Sequence, residues 1–272
     1  HLFQKSLDSG TLPPIWKDAN VAPVYNKGER FNPVNYRPIS LTCILCKTLE
    51  HIVASSITKH LSKLNIFYEL QHGFRAKRSR ESQLLMLVDD LFKSVYKIKQ
   101  TDLILLDFSN AFDCGIRGPA LKWVKGFLDN RHQSVSVNGS SSEPIPVSSG
   151  VPQGSVLRPL LFIIFINDLP MNVKSKVRLF ADGTALYLTI STSSQSEILQ
   201  KDLDNLERRS HKWDMEFNPS KWQVIHITRS KNPIPTQYTL HNCILESVSS
   251  AKYLGVDISS DLLWGYAHKS HF

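Results

Sequence analysis

Apolar positions recur at helical spacing in several stretches of the chain. Between Cys46 and Leu64 the residues Leu49, Ile52, Val53, Ile57, Leu61 and Leu64 form one stripe, which predicts an amphipathic helix. A loop containing Gly73 follows. Ser79 is then placed to cap a second helix whose core face is Leu84, Leu87, Val88, Leu91 and Val95. Leu103 to Phe108, LILLDF, is a short continuous apolar run, the pattern of a central strand buried on both faces. Pro119 opens a further helix through Leu128. Gln133–Val137, the Asn138-Gly139 turn and Pro144–Val147 predict a hairpin.

The segment SGVPQGS, Ser149 to Ser155, is a Gly/Pro/Ser loop leading to an apolar helix from Pro159. Val177 to Ile190, VRLFADGTALYLTI, predicts two strands joined at Asp182-Gly183. Glu197–Met215 suits a helix, Trp222–Thr228 a strand, and Tyr238–Ile258 a further hairpin. The first 45 residues, rich in Pro and Asn, read as irregular despite short apolar pieces such as Val21–Val24. This order of helices and strands is an α+β arrangement with an antiparallel sheet.

Composition narrows the class. At 272 residues, 42% hydrophobic and 21% charged, the chain can bury one large core or two. A net charge of +8 suggests a polyanionic partner, nucleic acid being the commonest. The longest apolar run, Leu160–Ile166, is too short to span a bilayer, so no membrane association is expected. The first residue is His1, and the chain reads as a piece of a longer product. Cys43, Cys46, Cys114 and Cys243 include one C-x-x-C without a second pair. They suit reduced thiols in an intracellular protein of the nucleus or cytoplasm better than structural zinc.

Two carboxylates carry the chemistry. Asp107 ends the buried strand and Asp182 tips the hairpin. On its own, Asp-Gly says no more than a turn, and a strand-ending Asp suits a cap or an ion pair. Brought together they would repel unless a cation lay between them. Mg²⁺ relieves that repulsion and accepts carboxylates together with substrate phosphates.

The ordered set NYRPISLT, QHGFRAKRS, LDFSNAFD, SGVPQGSVLRPLLF, FADGTALY, FNPSKWQVIHI and AKYLGVDI resembles the reverse transcriptases of non-LTR retrotransposons, in particular jockey-like mobile elements. The resemblance runs from about Leu2 to Trp264. It implies a right-hand polymerase with fingers over residues 1–100 and palm over 101–272, in which 114–149 is a shortened fingers/palm insertion and no thumb is present. It implies an RNA template, a DNA primer and deoxynucleoside triphosphates as partners. Two Mg²⁺ ions, or Mn²⁺ in their place, are the implied cofactors. The oligomeric state stays open.

Residue by residue, the resemblance gives Asp107 and Asp182 the two metals. It makes Phe112 the steric gate against a 2′-OH, with Phe108 in the same nucleotide pocket. Gln153 and Gly154 form the loop beneath the nucleotide and template. Arg37 holds the triphosphate, with Lys27 as its partner, and Lys221 matches the proton donor to pyrophosphate. Arg75, Lys77, Arg78 and Arg80 are assigned to the template backbone. From the residues alone, that basic run suits a solvated helix start equally well, and Lys221 suits a solvent-facing lysine.

Three departures bear on activity. Gly183 stands where relatives carry a second aspartate, a helical segment is missing after Asp113, and Arg158 occupies a position usually held by Gly. The expectation is a polymerase impaired in this copy; the alternative is a non-catalytic nucleic-acid-binding remnant.

Overall fold

A computed structural model describes residues 1–107, 118–148, 150–212 and 222–262. In chain order the helices are α1 (Leu2–Ser9), α2 (Ile44–Lys63), α3 (Arg80–Tyr96), α4 (Gly118–Leu128), α5 (Leu157–Phe165) and α6 (Ser193–Lys212). The strands are β1 (Asp18–Tyr25), β2 (Tyr36–Thr42), β3 (Gln100–Asp107), β4 (Arg131–Val137), β5 (Ser140–Ser141), β6 (Ile145–Val147) and β7 (Lys176–Phe180). They continue with β8 (Gly183–Ile190), β9 (Gln223–Ile227), β10 (Thr239–Leu240), β11 (Cys243–Ile244), β12 (Glu246–Ser247), β13 (Ser250–Tyr253) and β14 (Val256–Ser259). The mixture of helices with largely antiparallel sheets agrees with an α+β class. None of the described helices is long and apolar enough to cross a membrane.

Two compact units divide the chain, each assembled from two separate stretches: His1–Phe67 with Phe112–Phe165, and Tyr68–Ala111 with Ile166–Phe272. The first has a sheet of order β2-β1-β4-β5, with β6 also on β4. Here β1 runs antiparallel to β2 and parallel to β4. The opening segment is therefore not irregular as its composition suggests. Pro23 and Pro38 face each other in register, which suits a pair exchanging no N–H···O bonds. Moreover, β4 covers β1 only as far as Val21, and β2 is an edge strand, so neither proline empties a ladder position. Beside this sheet α2 packs on α5 and α1 on α4, around a core that includes Trp16, Leu49, Trp123, Phe127, Leu157 and Leu161.

The second unit is built on β3. Its sheet has the order β12-β9-β3-β8-β7, so β3 is flanked on both sides, as its continuous apolar run predicts. Ser79 caps α3 through a reciprocal pair with Ser82: the Ser82 N–H donates to Ser79 Oγ at 3.2 Å, and the Ser79 N–H donates to Ser82 Oγ at 2.9 Å. Leu87, Leu91 and Val95 of α3 then cover Leu103 and Leu105, with Ile225 and Ile227 in the same cluster. α6 packs on β8.

Tyr238–Ile258 does not form a single hairpin. Left-handed pairs at His241 and Asn242 (φ 50° and 58°) and at Leu254 and Gly255 (φ 51° and 91°) turn the chain twice. The result is two small hairpins, β10–β11 and β13–β14, and between them β12 adds in parallel to β9.

Two acidic side chains of this unit each gather several donors. Asp102, fully buried in β3, accepts from Thr236 Oγ1 and Tyr238 OH at 2.6 Å each, Gln100 Nε2 at 2.9 Å and His226 Nδ1 at 3.0 Å. Burial works to raise its pKa, but the bonds from His226, Thr236 and Tyr238 outweigh it and hold the carboxyl low. Asp90 on α3 accepts from Tyr187 OH at 2.5 Å, Arg178 Nη2 at 2.7 Å and Lys176 Nζ at 3.0 Å, tying α3 to β7 and β8.

Candidate functional site

The two-residue loop of the β7–β8 hairpin is Ala181–Asp182, since Phe180 pairs with Gly183. The expected joint at Asp182-Gly183 is thus shifted by one residue, and Gly183 opens β8. On its other side Gly183 pairs with Asp107, the last residue of β3. Registry therefore brings the Asp107 backbone to a position directly opposite Gly183, next to solvent-exposed Asp182. Carboxylates are hard oxygen donors, so an Asp pair at one end of a strand pair fits Mg²⁺ in its donor chemistry.

The shifted turn has a physical cause. Ala181 adopts φ 53°, which a residue with a Cβ rarely takes. The fully buried side chain of Gln71 holds it there: Gln71 Oε1 accepts the N–H of Ala181 at 3.2 Å and that of Gly73 at 2.7 Å. The segment around Gln71 runs beside β7, with the His72 N–H donating to the Leu179 carbonyl at 2.9 Å and the Leu179 N–H to the Leu70 carbonyl at 3.1 Å. A Cβ at Gly73 would lie 2.2 Å from the backbone nitrogen of Ala181, so only glycine permits this approach. Gln71 and Gly73 thus position the tip that carries Asp182. In the sequence QHGF stands inside a motif in which neither residue carries an assigned role.

The first unit gathers a different group. Arg37 lies on β2, exposed and paired with Val24 of β1, and exposed Lys27 sits two residues past the end of β1. The Gln153-Gly154 loop docks on the same strand. The Gln153 carbonyl accepts the Ser40 N–H at 2.7 Å. Gly154, at φ 105°, would place a Cβ only 3.2 Å from the Ser40 carbonyl. Beyond the loop, Glu50 Oε2 of α2 accepts the N–H groups of Val156 and Leu157 at 2.8 and 3.1 Å. Burial pushes this carboxyl up, while those two N–H groups act against the shift. Glu50 thereby fixes the start of α5, a task no local pattern reveals. Arg158 is exposed and donates to the Val151 carbonyl at 3.2 Å, so this cation finds a partner without entering the core.

The basic run precedes and opens α3. Lys77 and Arg80 are exposed, whereas Arg75 and Arg78 are half-buried. Arg75 donates to the Tyr68 carbonyl at 3.3 Å, and Arg78 lies 2.8 Å from His72 Nε2. Burial first, then the cations Arg78 and Arg178, lower the His72 pKa, consistent with a neutral ring accepting from Arg78. Phe108, Phe112, Lys221 and the Asp107 side chain lie outside the described residues, as do residues 114–117.

The family described as reverse transcriptase (RNA-dependent DNA polymerase) matches residues 25–258. The "Probable RNA-directed DNA polymerase from transposon BS" of Drosophila melanogaster is 29% identical over 93% of this chain and 31% of its own length. The "RNA-directed DNA polymerase from mobile element jockey" of the same species is 27% identical over 96% of this chain and 31% of its own. The chain therefore spans about a third of these curated relatives. Among solved structures, apo telomerase from Candida tropicalis, truncated from the C-terminal domain, superposes with a TM-score of 0.56 at 11% identity, covering 95% of this chain and 57% of that one. Telomerase from Candida albicans, in complex with a fragment of telomeric RNA, gives 0.57 at 12%, covering 96% and 48%.

Proposed function

Because the chain belongs to the reverse transcriptase family, we propose that it is the RNA-directed DNA polymerase domain of a non-LTR mobile element, extending a DNA 3′-OH on an RNA template. The observation that carries this reading is the β3–β8 register, which sets Asp107 opposite Gly183 and beside Asp182. In this reading β1–β2 and α2 belong to the fingers, and the sheet centred on β3 belongs to the palm.

Asp107 and Asp182 would hold Mg²⁺, or Mn²⁺ in its place. The chemistry that two such ions supply is neutralisation of charge on the attacking and leaving oxygens. Arg37 and Lys27 bind triphosphate oxygens, Arg by its planar fork and Lys as a point charge. The Gln153-Gly154 loop orients the nucleotide and template. Phe112, with Phe108, excludes a ribonucleotide, and Lys221 delivers a proton to the departing pyrophosphate. Lys77 and Arg80 contact template phosphates, with Arg75 and Arg78 shaping the segment that carries them.

Gly183 favours a second reading, a remnant that binds nucleic acid without extending it, because the resemblance puts a second aspartate at this position. Lost there is a charge whose pairing at ~4 Å and an effective dielectric of ~20 is worth about 4 kcal/mol, or two to three orders of magnitude in rate at about 1.4 kcal/mol per tenfold. The position accepts a side chain. An added Cβ would meet the Phe180 carbonyl at 3.4 Å and Tyr253 and Leu254 at 3.9 Å. Primer extension on an RNA template, with Mg²⁺ and with Mn²⁺, separates the two readings. The polymerase reading expects slow extension that Gly183→Asp raises by about 10²-fold or more and Asp182→Asn abolishes. Template binding with no extension by either the parent or Gly183→Asp establishes the remnant instead.

A further inference from the structure

Glu207 and His211 stand one turn apart on α6, and His241 lies at the tip of the β10–β11 hairpin. One donor atom from each falls within 4.8 Å of the other two. Glu207 Oε1 is 3.9 Å from His211 Nε2 and 3.6 Å from His241 Nδ1. These separations are too long for hydrogen bonds. They are close to the edge of a ligand tetrahedron, about 3.4 Å when metal–ligand bonds are ~2.1 Å. The other carboxylate oxygen, Oε2, accepts the His241 backbone N–H at 3.0 Å, which fixes the carboxylate with Oε1 toward the imidazoles. The His241 ring is itself oriented, stacked on Trp222 with centroids 5.6 Å apart and edge-on to His211 at 5.0 Å.

We infer that Glu207, His211 and His241 form a binding site for a divalent transition metal of the zinc class, separate from the polymerase carboxylates. Two imidazoles with one carboxylate suit zinc and its neighbours, whereas Mg²⁺ and Ca²⁺ favour all-oxygen shells. Three protein ligands leave a fourth position for water. The bound ion fastens the β10–β11 hairpin to α6, with the exposed His211 side chain adjusting to complete the ligand set.

The test is titration of Zn²⁺ into the full chain against a chromophoric chelator, with Mg²⁺ in excess throughout. One site of micromolar affinity or tighter is expected, weakened about tenfold or more by His211→Ala and by Glu207→Gln. His211 is 68% exposed, so its replacement leaves the fold intact. Zn²⁺ should raise the melting temperature of the parent and not of His211→Ala, and Co²⁺ should give a tetrahedral visible spectrum that the same variant loses. Equal Zn²⁺ affinity in parent and His211→Ala would assign the metal to other groups, such as the cysteines, and overturn the proposal. So would the absence of saturable binding.

Discussion

A methyl group added at position 73 has nowhere to go, because the Ala181 nitrogen would sit 2.2 Å from it and belongs to backbone. Gly73→Ala should therefore lower stability by about 1–3 kcal/mol, the usual cost of overpacking, read as a lower urea midpoint at unchanged slope. A variant as stable as the parent would show that this approach is looser than described. Gly183→Asp should change the midpoint little, since that position has ordinary contact distances around it. The contrast shows what single residues disclose in sequence. The places of Asp107 at a strand end and of Asp182 in a hairpin loop are legible, because an acid at the end of an apolar run or beside a turn glycine is conspicuous. Gln71 and Glu50 were not, since each accepts from backbone 106 to 110 positions away, and such a bond leaves no periodic trace.

Elements governed by local spacing were legible and those governed by distant pairing were not. The stripes on α2 and α3 and the apolar run of β3 each announce themselves within a dozen residues. The β1–β2 hairpin hides behind its two prolines, and β12 is two residues that become a strand only against β9. Packing of α3 on the sheet carries its own acid sensitivity. Burial alone would raise the Asp90 carboxyl, but the Tyr187 hydroxyl, then Arg178 and Lys176, hold it down at about 2, against an ordinary 3.8. A carboxyl depressed in the folded state contributes stability above its unfolded pKa and loses it as pH falls through the folded one. Stability gained from Asp90 should thus be constant from neutral pH to about 5 and decline between about 4 and 2. Urea midpoints of the parent and Asp90→Asn should converge over that interval. A gap between them that does not change with pH would refute the assignment.

At the scale of the molecule, the chain visits each unit twice, and each unit holds its own apolar cluster. A fragment ending near residue 100 would contain β1, β2 and α2 without β4 or α5, and α3 without β8. It should show no cooperative melting, whereas the full chain should; a cooperative transition in the fragment would mean the first unit needs less of the chain than its contacts indicate. The parallel pairing of β1 with β4 spans more than a hundred residues. On the ribosome, then, β1 must wait, with one edge uncovered, until a stretch far downstream has been translated. A nascent polypeptide in that condition is a natural client for chaperones, and its yield should depend on elongation speed as much as on final stability.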